Sequence, residues 1–252
     1  MRVFIEIGDM KEKILHKLKA ASIHLFFSLL IFIVILYFIL YEWYPEPFFT
    51  AQGGWQGIRL MAFVDIVLGP LLTLIVFNHL KKKSDIIFDL SMIVIIQVAA
   101  LVWGGYLVYT QRPVALVFWD DAFYTVVSDD YAMQDLENPD FSQFSDHVPP
   151  LIYVRSPKTV FELDEFKKLY EQDIPIYAHV SSYESIGDNL GRIFAANRDI
   201  NEIIAQNKEM ETALRGVIDG DIDTYKYIAL KAKYQNMILV FDNDGHLIGE
   251  IK

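Results

Sequence analysis

Three long hydrophobic runs occupy most of the first 110 residues of the chain. The first run extends over 23–41 and contains no charged residue. The second run extends over 58–78 and the third over 89–109. A helix needs about 20 apolar residues to cross the hydrocarbon layer of a membrane, and each run is long enough. No later run matches this length and apolarity, so the pattern predicts three transmembrane helices.

After residue 110 the apolar positions form short runs that are separated by polar turns. Runs rich in β-branched and aromatic residues predict strands at 114–118, 123–127, 151–154, 174–180, 225–233, 237–241 and 247–251. Helical spacing predicts a helix near 163–170 and two or three more between 183 and 218. Asp244-Gly245 is typical of a tight hairpin turn. The predicted fold class is therefore a membrane protein with three transmembrane α-helices, followed by an α+β extracytoplasmic domain with antiparallel strands.

The positions of Lys and Arg predict how the three helices are oriented. Cytoplasmic loops close to transmembrane helices carry an excess of these residues. Eight of them precede the first run or lie between the second and third runs: Arg2, Lys11, Lys13, Lys17, Lys19, Lys81, Lys82 and Lys83. On the other side only Arg59 and Arg112 are near. We therefore expect a cytoplasmic basic N-terminus over 1–22, a transmembrane region over 23–110 and an outward-facing domain over 111–252, which in a bacterium is periplasmic.

The composition agrees with this division and excludes several classes of protein. Of the 252 residues 53% are hydrophobic and 22% are charged, and the net charge is −11. Residues 1–110 hold 9 basic and 8 acidic residues, whereas 111–252 hold 13 and 25, so the acidity belongs to the outer domain. No basic surface is available to neutralise phosphates, which argues against a nucleic-acid partner. The absence of cysteine excludes disulfides and thiolate metal sites.

The loop after the first run is rich in aromatic residues and proline. Its members of these types are Trp43, Tyr44, Pro45, Pro47, Phe48 and Phe49. Trp and Tyr prefer the headgroup level of a membrane and proline ends a helix, so the loop is typical of an interfacial belt. The alternative is a docking surface for another membrane helix. We keep these six residues as candidate partner or packing contacts.

Two further features lie inside the second run. Asp65 is about two turns from its outer end, and an acid at that depth is a candidate functional residue. The alternative is that it pairs with Arg59 or with a backbone group. Gly69-Pro70 interrupts the helix, because Pro70 leaves the carbonyl of Ile66 without its usual donor.

The third run offers a partner for this interruption. If the second and third runs form a hairpin, Gln97 lies level with Pro70, and its side-chain amide can donate to the free carbonyl. Asp65 would lie near Val102, one turn from Gly104-Gly105, where small residues would let the two backbones approach. Gly69, Pro70 and Gln97 are therefore candidate packing contacts.

The outer domain contains no motif that is typical of catalysis or of cofactor binding. Gly-x-Ser-x-Gly, the P-loop and GxGxxG are all absent. Asp242–Gly245 resembles the start of a calcium loop but lacks the later Glu, so we interpret it as a turn. His147, His179 and His246 do not have the spacing of metal ligands. We predict no catalytic residue, no cofactor and no metal.

Several segments of the chain also resemble a known family. They are Trp43-Tyr-Pro-Glu-Pro-Phe-Phe49, Gly53-Gly54, Val64–Asn78, Lys82-Lys83-Ser84, Phe88-Asp-Leu90, Gln97 with Ala99-Ala100-Leu101, and Arg112-Pro113 with Val117-Phe118. In these segments the chain is similar to the type IV pilin accessory proteins of the TfpX, TfpZ and FimB-like type, most distinctively over Val64–Asn78. The resemblance implies an inner-membrane protein that helps pilin stability or pilus assembly and whose partner is a major or minor pilin subunit.

The leading hypothesis is therefore a non-enzymatic accessory protein in the lipid of the inner membrane. Its helices would pack beside a pilin helix, and its periplasmic domain would touch the pilin heads. The alternative is a membrane-bound sensor or a small intramembrane enzyme centred on Asp65, in which Asp85 or Asp89 would have to supply a second acid. A transporter fragment agrees less well with three spans and no internal repeat. Subunit stabilisation and promotion of assembly both stay open as modes of action, and the sequence predicts no oligomeric state.

The charge bias makes a direct prediction about the C-terminus. A reporter that fluoresces only in the cytoplasm should be dark when it is fused after Lys252, because we expect the acidic domain in the periplasm. The same reporter fused after Lys83 of a truncated chain should be bright, since we expect that loop in the cytoplasm. Cell fluorescence at matched protein levels measures both. A bright fusion at Lys252 would reverse the predicted orientation.

Overall fold

The computed structural model describes residues 2–78, 80–206 and 208–252. Three positions lie outside the described residues: Met1 of the predicted N-terminal segment, His79 beside the predicted Lys81–Lys83 loop, and Asn207 in the region where helices are predicted. The described chain divides into two compact units. The membrane unit extends to Pro45 and resumes over Gly54–Tyr109, and the sheet unit holds Glu46–Gly53 and Thr110–Lys252.

The membrane unit is helical almost throughout. In chain order, and with the short helix α2 of the sheet unit included, the helices are α1 (Arg2–Tyr37), a π-helical extension (Phe38–Trp43), α2 (Phe48–Ala51), α3 (Gly54–Ala62), a π-helical turn (Phe63–Leu68), α4 (Gly69–Val76) and α5 (Lys83–Thr110). Among the described residues three stretches are long and apolar enough to cross a membrane: span 1 (Met10–Trp43), span 2 (Gly54–Val76) and span 3 (Lys83–Thr110). They confirm the three predicted helices.

Span 2 changes its helical geometry where the sequence predicts an interruption. The amide of Gly69 donates to the carbonyl of Val64, five residues back instead of four. The following residue, Pro70, has no N–H, and its ring would clash with the preceding turn of a regular α-helix. A wider π-helical turn is a common way for a helix to absorb such a conflict, often next to functional residues. Asp65 lies in this turn.

The sheet unit has a mixed sheet with helices on its faces. Its elements are β1 (Pro113–Trp119), β2 (Ala122–Val127), α6 (Ser128–Ala132), β3 (Leu151–Val154), α7 (Val160–Glu171), β4 (Tyr183–Ser185), α8 (Leu190–Phe194), α9 (Ile200–Gln206), α10 (Lys208–Arg215), β5 (Lys226–Lys231), β6 (Met237–Phe241) and β7 (Leu247–Ile251). The strands lie in the order β4-β3-β1-β2-β5-β6-β7. The α+β class is confirmed, and so is the predicted hairpin of β6 and β7, while β1 and β2 form a second antiparallel hairpin.

The sheet is not built from antiparallel pairs alone. β1 pairs with β3, and β2 pairs with β5, in parallel. A parallel pair cannot be closed by a tight turn and needs a long crossover connection. The polar stretch after β2 and the helices before β5 provide these connections, which is why short-range hairpin signals do not reveal the parallel pairs.

One predicted strand, over 174–180, is wrong. This stretch instead contains two 3-10 helices, Ile176–Ala178 and Val180–Ser182. Pro175 has no N–H to contribute to a strand ladder, which disfavours a central strand here. Ile174 and Ala178 are nevertheless buried in the core, so their apolar character reflects packing and not membership of the sheet.

Both faces of the sheet are covered, as the alternation of side chains along a strand requires. On β1, Leu116 and Phe118 belong to one core cluster, whereas Ala115 and Val117 belong to a second cluster on the opposite face. Helix α7 covers the second face through Leu169. Ile200 of α9 and Leu214 of α10 pack near β5–β7 in a third cluster.

The first face is completed by a segment from much earlier in the chain, Glu46–Gly53, which we call the inserted segment. Phe48 is 2% exposed and Ala51 is fully buried, and both belong to the cluster of Leu116 and Phe241. The carbonyl of Ala51 accepts a hydrogen bond of 3.1 Å from the amide of Tyr234. These contacts make the inserted segment part of the hydrophobic core of the sheet unit.

The end of the inserted segment requires glycine. Gly53 has a φ of +81°, a conformation that other residues rarely adopt, and a Cβ atom there would overlap the ring of Tyr234. The start of the segment is held by an ion pair of 3.0 Å between Glu46 Oε1 and Lys252 Nζ. The segment is therefore fixed at both ends.

This arrangement places two parts of the chain on the same side of the membrane. The inserted segment follows span 1, and the rest of the sheet unit follows span 3. Because they share one core, the chain between them must return to the side of the membrane from which it started. The fold thus requires that both of these spans cross, or that neither does.

Removing the ring of Phe48 should destabilise the sheet unit. We expect Phe48→Ala to lower its free energy of unfolding by about 3–5 kcal/mol, because a buried ring leaves a cavity. Phe161→Ala is the matched control, since Phe161 of α7 is 70% exposed; a change there should stay within about 0.5 kcal/mol. Thermal unfolding of the detergent-purified full chain measures both. Equal effects of the two substitutions would contradict the buried position of Phe48.

Candidate functional site

The buried polar residues of the membrane unit surround a cavity of about 380 Å³. Asp65 and Thr73 of span 2 are 6% and 1% exposed, and Ser28 of span 1 is 7% exposed. The polar residues that line the cavity are His24, Ser28, Asp65, Thr73 and Gln97. The rest of the lining is apolar. We call this the Asp65 cavity.

Spans 1 and 2 are joined by a polar contact at the edge of this cavity. His24 Nδ1 lies 2.6 Å from Thr73 Oγ1, which is a hydrogen bond whose direction depends on the tautomer of the imidazole. Our sequence interpretation did not single out His24, Ser28 or Thr73. A signal for the first two exists, because residues four apart share one face of a helix, and these are the polar positions of an otherwise apolar run.

Asp65 is the exceptional member of this group. Its Oδ2 atom is buried and has no hydrogen-bond partner among the described residues, so neither Arg59 nor a backbone group satisfies it. Asp65 is also the twelfth of the 23 residues of span 2, which places it at the middle of the span. An unsatisfied carboxylate oxygen at the centre of a membrane helix is costly, which makes Asp65 a candidate for an external contact.

Gln97 and Gly69 lie against each other, at the depth that the hairpin relation predicts. A Cβ atom at position 69 would overlap the side-chain amide of Gln97, so this close approach depends on glycine at position 69 while the amide keeps its present position. From the same relation we expected the backbones of spans 2 and 3 to approach each other closely at Gly104-Gly105. This expectation is wrong. A Cβ atom at either position would meet no heavy atom of the described chain within 4 Å.

The candidate residues of the aromatic loop divide between the two units. Trp43 and Tyr44 end span 1, where the Trp43 ring centroid is 5.5 Å from that of Tyr109 and the Tyr44 hydroxyl donates to the carbonyl of Val108 at 3.0 Å. The half-buried Pro45 closes the membrane unit there. In the sheet unit, Pro47, Phe48 and Phe49 are buried and act as packing contacts within this chain.

The two acids that the enzyme alternative would need do not reach the Asp65 cavity. Asp89 forms an ion pair of 2.6 Å with Lys81, and Asp85 accepts a hydrogen bond from Ser84. Asp65 is the one carboxylate among the described residues that line the cavity. Hydrolysis by a pair of carboxyl groups, one acting as acid and the other as base, therefore has no second member there.

In the sheet unit, the turn after β6 brings together groups that the sequence interpretation treated as unrelated. Potential ligand atoms of Asp242, Asp244 and His246 lie within 4.8 Å of one another, and the ring of His147 is 6.1 Å from that of His246. Asp242 already accepts hydrogen bonds from the amides of Asp244 and His246 and contacts His246 Nδ1 at 2.9 Å. These contacts are those of an ordinary polar turn.

A second polar group in the sheet unit is structural. Burial raises the pKa of Asp130 to about 6, and its carboxylate accepts from the amide of Val127 at the start of α6. Next to it, the hydroxyls of Tyr131 and Tyr183 are 2.6 Å apart and satisfy each other inside the core. Burial raises the pKa of both tyrosines, so they stay neutral.

The chain is similar to fimbrial assembly proteins of Dichelobacter nodosus. It is 28% identical to the protein of serogroup E1 and 29% identical to that of serogroup I, in each case over 212 residues that make up 81% of this chain and 82% of the relative. It is 33% identical to the protein of serogroups C1 and C2 over 126 residues, which are 50% of this chain and 96% of the relative. No family model and no solved structure matches the chain.

The contact between Gly69 and Gln97 makes a prediction about packing. Gly69→Ala should destabilise the membrane unit by about 1 kcal/mol, because the added methyl group overlaps the Gln97 amide and forces that flexible side chain to move. Gly104→Ala is the matched control on span 3 and should have little effect. Thermal unfolding in detergent measures each variant.

A double-mutant cycle tests the same contact directly. When Gln97→Ala has removed the amide, Gly69→Ala should cost less than it does in the natural chain. Additive effects of the two substitutions would contradict the contact.

Proposed function

Because the chain belongs to the family of the fimbrial assembly proteins, we propose that it is a non-enzymatic accessory protein of the bacterial inner membrane that assists type IV pilin stability or pilus assembly through contacts with pilin. The names of the relatives, which are fimbrial assembly proteins and share 28–33% identity with this chain, support a role in pilus assembly. The two longer matches cover 81% of the chain, so the similarity is not confined to a short apolar run.

Apolar surface in the membrane unit supports contact with another membrane protein. In the most apolar part of span 3 only 6% of the residues are buried inside the described chain, and in that of span 1 only 11% are. These surfaces are available to lipid and to a partner helix alike. A helix that serves only as an anchor needs no buried polar groups. In this membrane unit, however, five polar residues line the Asp65 cavity.

Among the described residues no second acid lines the Asp65 cavity, and this supports a non-enzymatic role. A lone carboxylate can accept a hydrogen bond or hold a partner, and neither needs proton transfer. The three apolar spans support a membrane location, and the bias of eight basic residues against two supports the outward orientation of the sheet unit.

Gene deletion and pilin capture together test the proposed function in cells that make type IV pili. Deletion of the gene should remove or strongly reduce surface pili, and the full chain should restore them. Pilin should co-purify with the tagged full chain from membranes that are solubilised in mild detergent. The yield of pilin, identified by mass spectrometry, and the count of surface pili are the two measurements.

The control is an unrelated three-span membrane protein with the same tag at the same level. Normal piliation in the deletion strain, together with no pilin above this control, would refute the proposal.

A further inference from the structure

We propose that the Asp65 cavity is the docking site for a membrane helix of a pilin subunit, which presents a hydrogen-bond-donating side chain to the Asp65 carboxylate. This inference rests on the proposed function and names the place and chemistry of the contact. It starts from the Oδ2 atom of Asp65, which is buried and has no partner among the described residues.

The polar neighbours of Asp65 leave this oxygen available. His24 and Thr73 bond to each other, at 2.6 Å, and the Gln97 amide lies against Gly69. A buried acceptor that lacks a donor is unfavourable in a protein and more so in hydrocarbon, because no water replaces the missing donor. Among the described side chains that line the cavity, this oxygen is the one buried atom without a partner, so a donor from outside the chain would gain most by binding there.

The depth of Asp65 decides which class of molecule can supply that donor. Asp65 lies near the middle of span 2, well inside a hydrocarbon layer that is about 30 Å thick. Lipid headgroups remain at the surfaces, and acyl chains carry no donor. A side chain on another transmembrane helix can reach this depth and can bring a donor with it.

The shape and lining of the cavity agree with a helix as the occupant. Its volume is about 380 Å³, within the range of about 300–1,000 Å³ that is typical of sites that enclose a ligand group. Phe27 of span 1 and Val98 of span 3 line it, yet they are 59% and 50% exposed. The cavity can therefore be reached from the lipid side between these two residues, and its apolar walls suit the apolar face of a partner helix.

Two neighbouring phenylalanines allow a matched crosslinking test. Phe27 lines the cavity and Phe26 does not, although their exposures of 59% and 62% are nearly equal. The photoreactive residue p-benzoylphenylalanine is placed at one or the other position of the full chain in pilus-forming cells. After irradiation, pilin should be crosslinked from position 27 with at least about fivefold the yield from position 26, since a docked helix contacts one face only.

Variants of Asp65 then test the chemistry of the contact. Asp65→Leu should reduce the pilin crosslink from position 27 to the level at position 26. Asp65→Asn should keep most of the crosslink and most surface pili, because the amide oxygen still accepts a hydrogen bond. Loss of crosslinking and of pili with Asp65→Asn, at a normal membrane level, would overturn the proposal and favour a proton-transfer role for Asp65.

A second variant covers the case in which Asp65→Leu fails to fold. Val98→Trp leaves Asp65 in place and fills the entrance of the cavity at an exposed position, so it should also abolish the crosslink from position 27. The proposal is overturned by equal pilin yields from positions 26 and 27, by yields that neither variant changes, or by crosslinks from position 27 to lipid or to a second copy of this chain. Any of these results would leave the proposed function standing if pilin still co-purifies, whereas loss of co-purification together with normal piliation in the deletion strain would refute that function itself.

Discussion

The burial of Phe48 and Ala51 in the core of the sheet unit is the constraint on which the rest of the chain depends. The inserted segment Glu46–Gly53 is only eight residues long, and it lies between two membrane spans. Its side chains cover Leu116 and Phe241 on one face of the sheet. That face would otherwise expose large apolar residues to water, at a cost of about 25 cal/mol for each Å². The inserted segment, which connects spans 1 and 2, is therefore also needed to complete the core of the sheet unit.

The membrane unit follows a different rule, because water is absent from its surroundings. There, polar groups need partners inside the protein, and the hydrogen bond between His24 and Thr73 satisfies this need for one pair. Asp65 does not follow the rule, since its Oδ2 atom has no partner in the described chain. The π-helical turn that contains Asp65 stands directly before Pro70. The irregular backbone and the unsatisfied carboxylate thus occupy the same part of span 2.

Much of this architecture could be predicted from the sequence, because membrane spans depend on length and apolarity and hairpins depend on local turns. The level of Gln97 against Gly69 could also be predicted, since a helical hairpin relates residue numbers to depth. The contact between His24 and Thr73 could not, because it joins residues 49 positions apart and depends on how two helices are rotated. The position of Phe48 in the core of the sheet unit could not be predicted either, for another reason. An aromatic residue beside a membrane span agrees equally well with an interfacial belt and with a core, and only the folded sheet distinguishes them.

The inserted segment also determines when the sheet can finish folding. It leaves the ribosome some 60 residues before the first strand begins, and both spans 2 and 3 are made in between. The core can close over Phe48 only after these two spans and the strands that follow them have been made. Completion of the soluble fold therefore excludes the case in which only one of the two spans has crossed the membrane. By the same reasoning, residues 110–252 produced on their own would lack Phe48 and Ala51 and would expose the face of the sheet that these two residues cover.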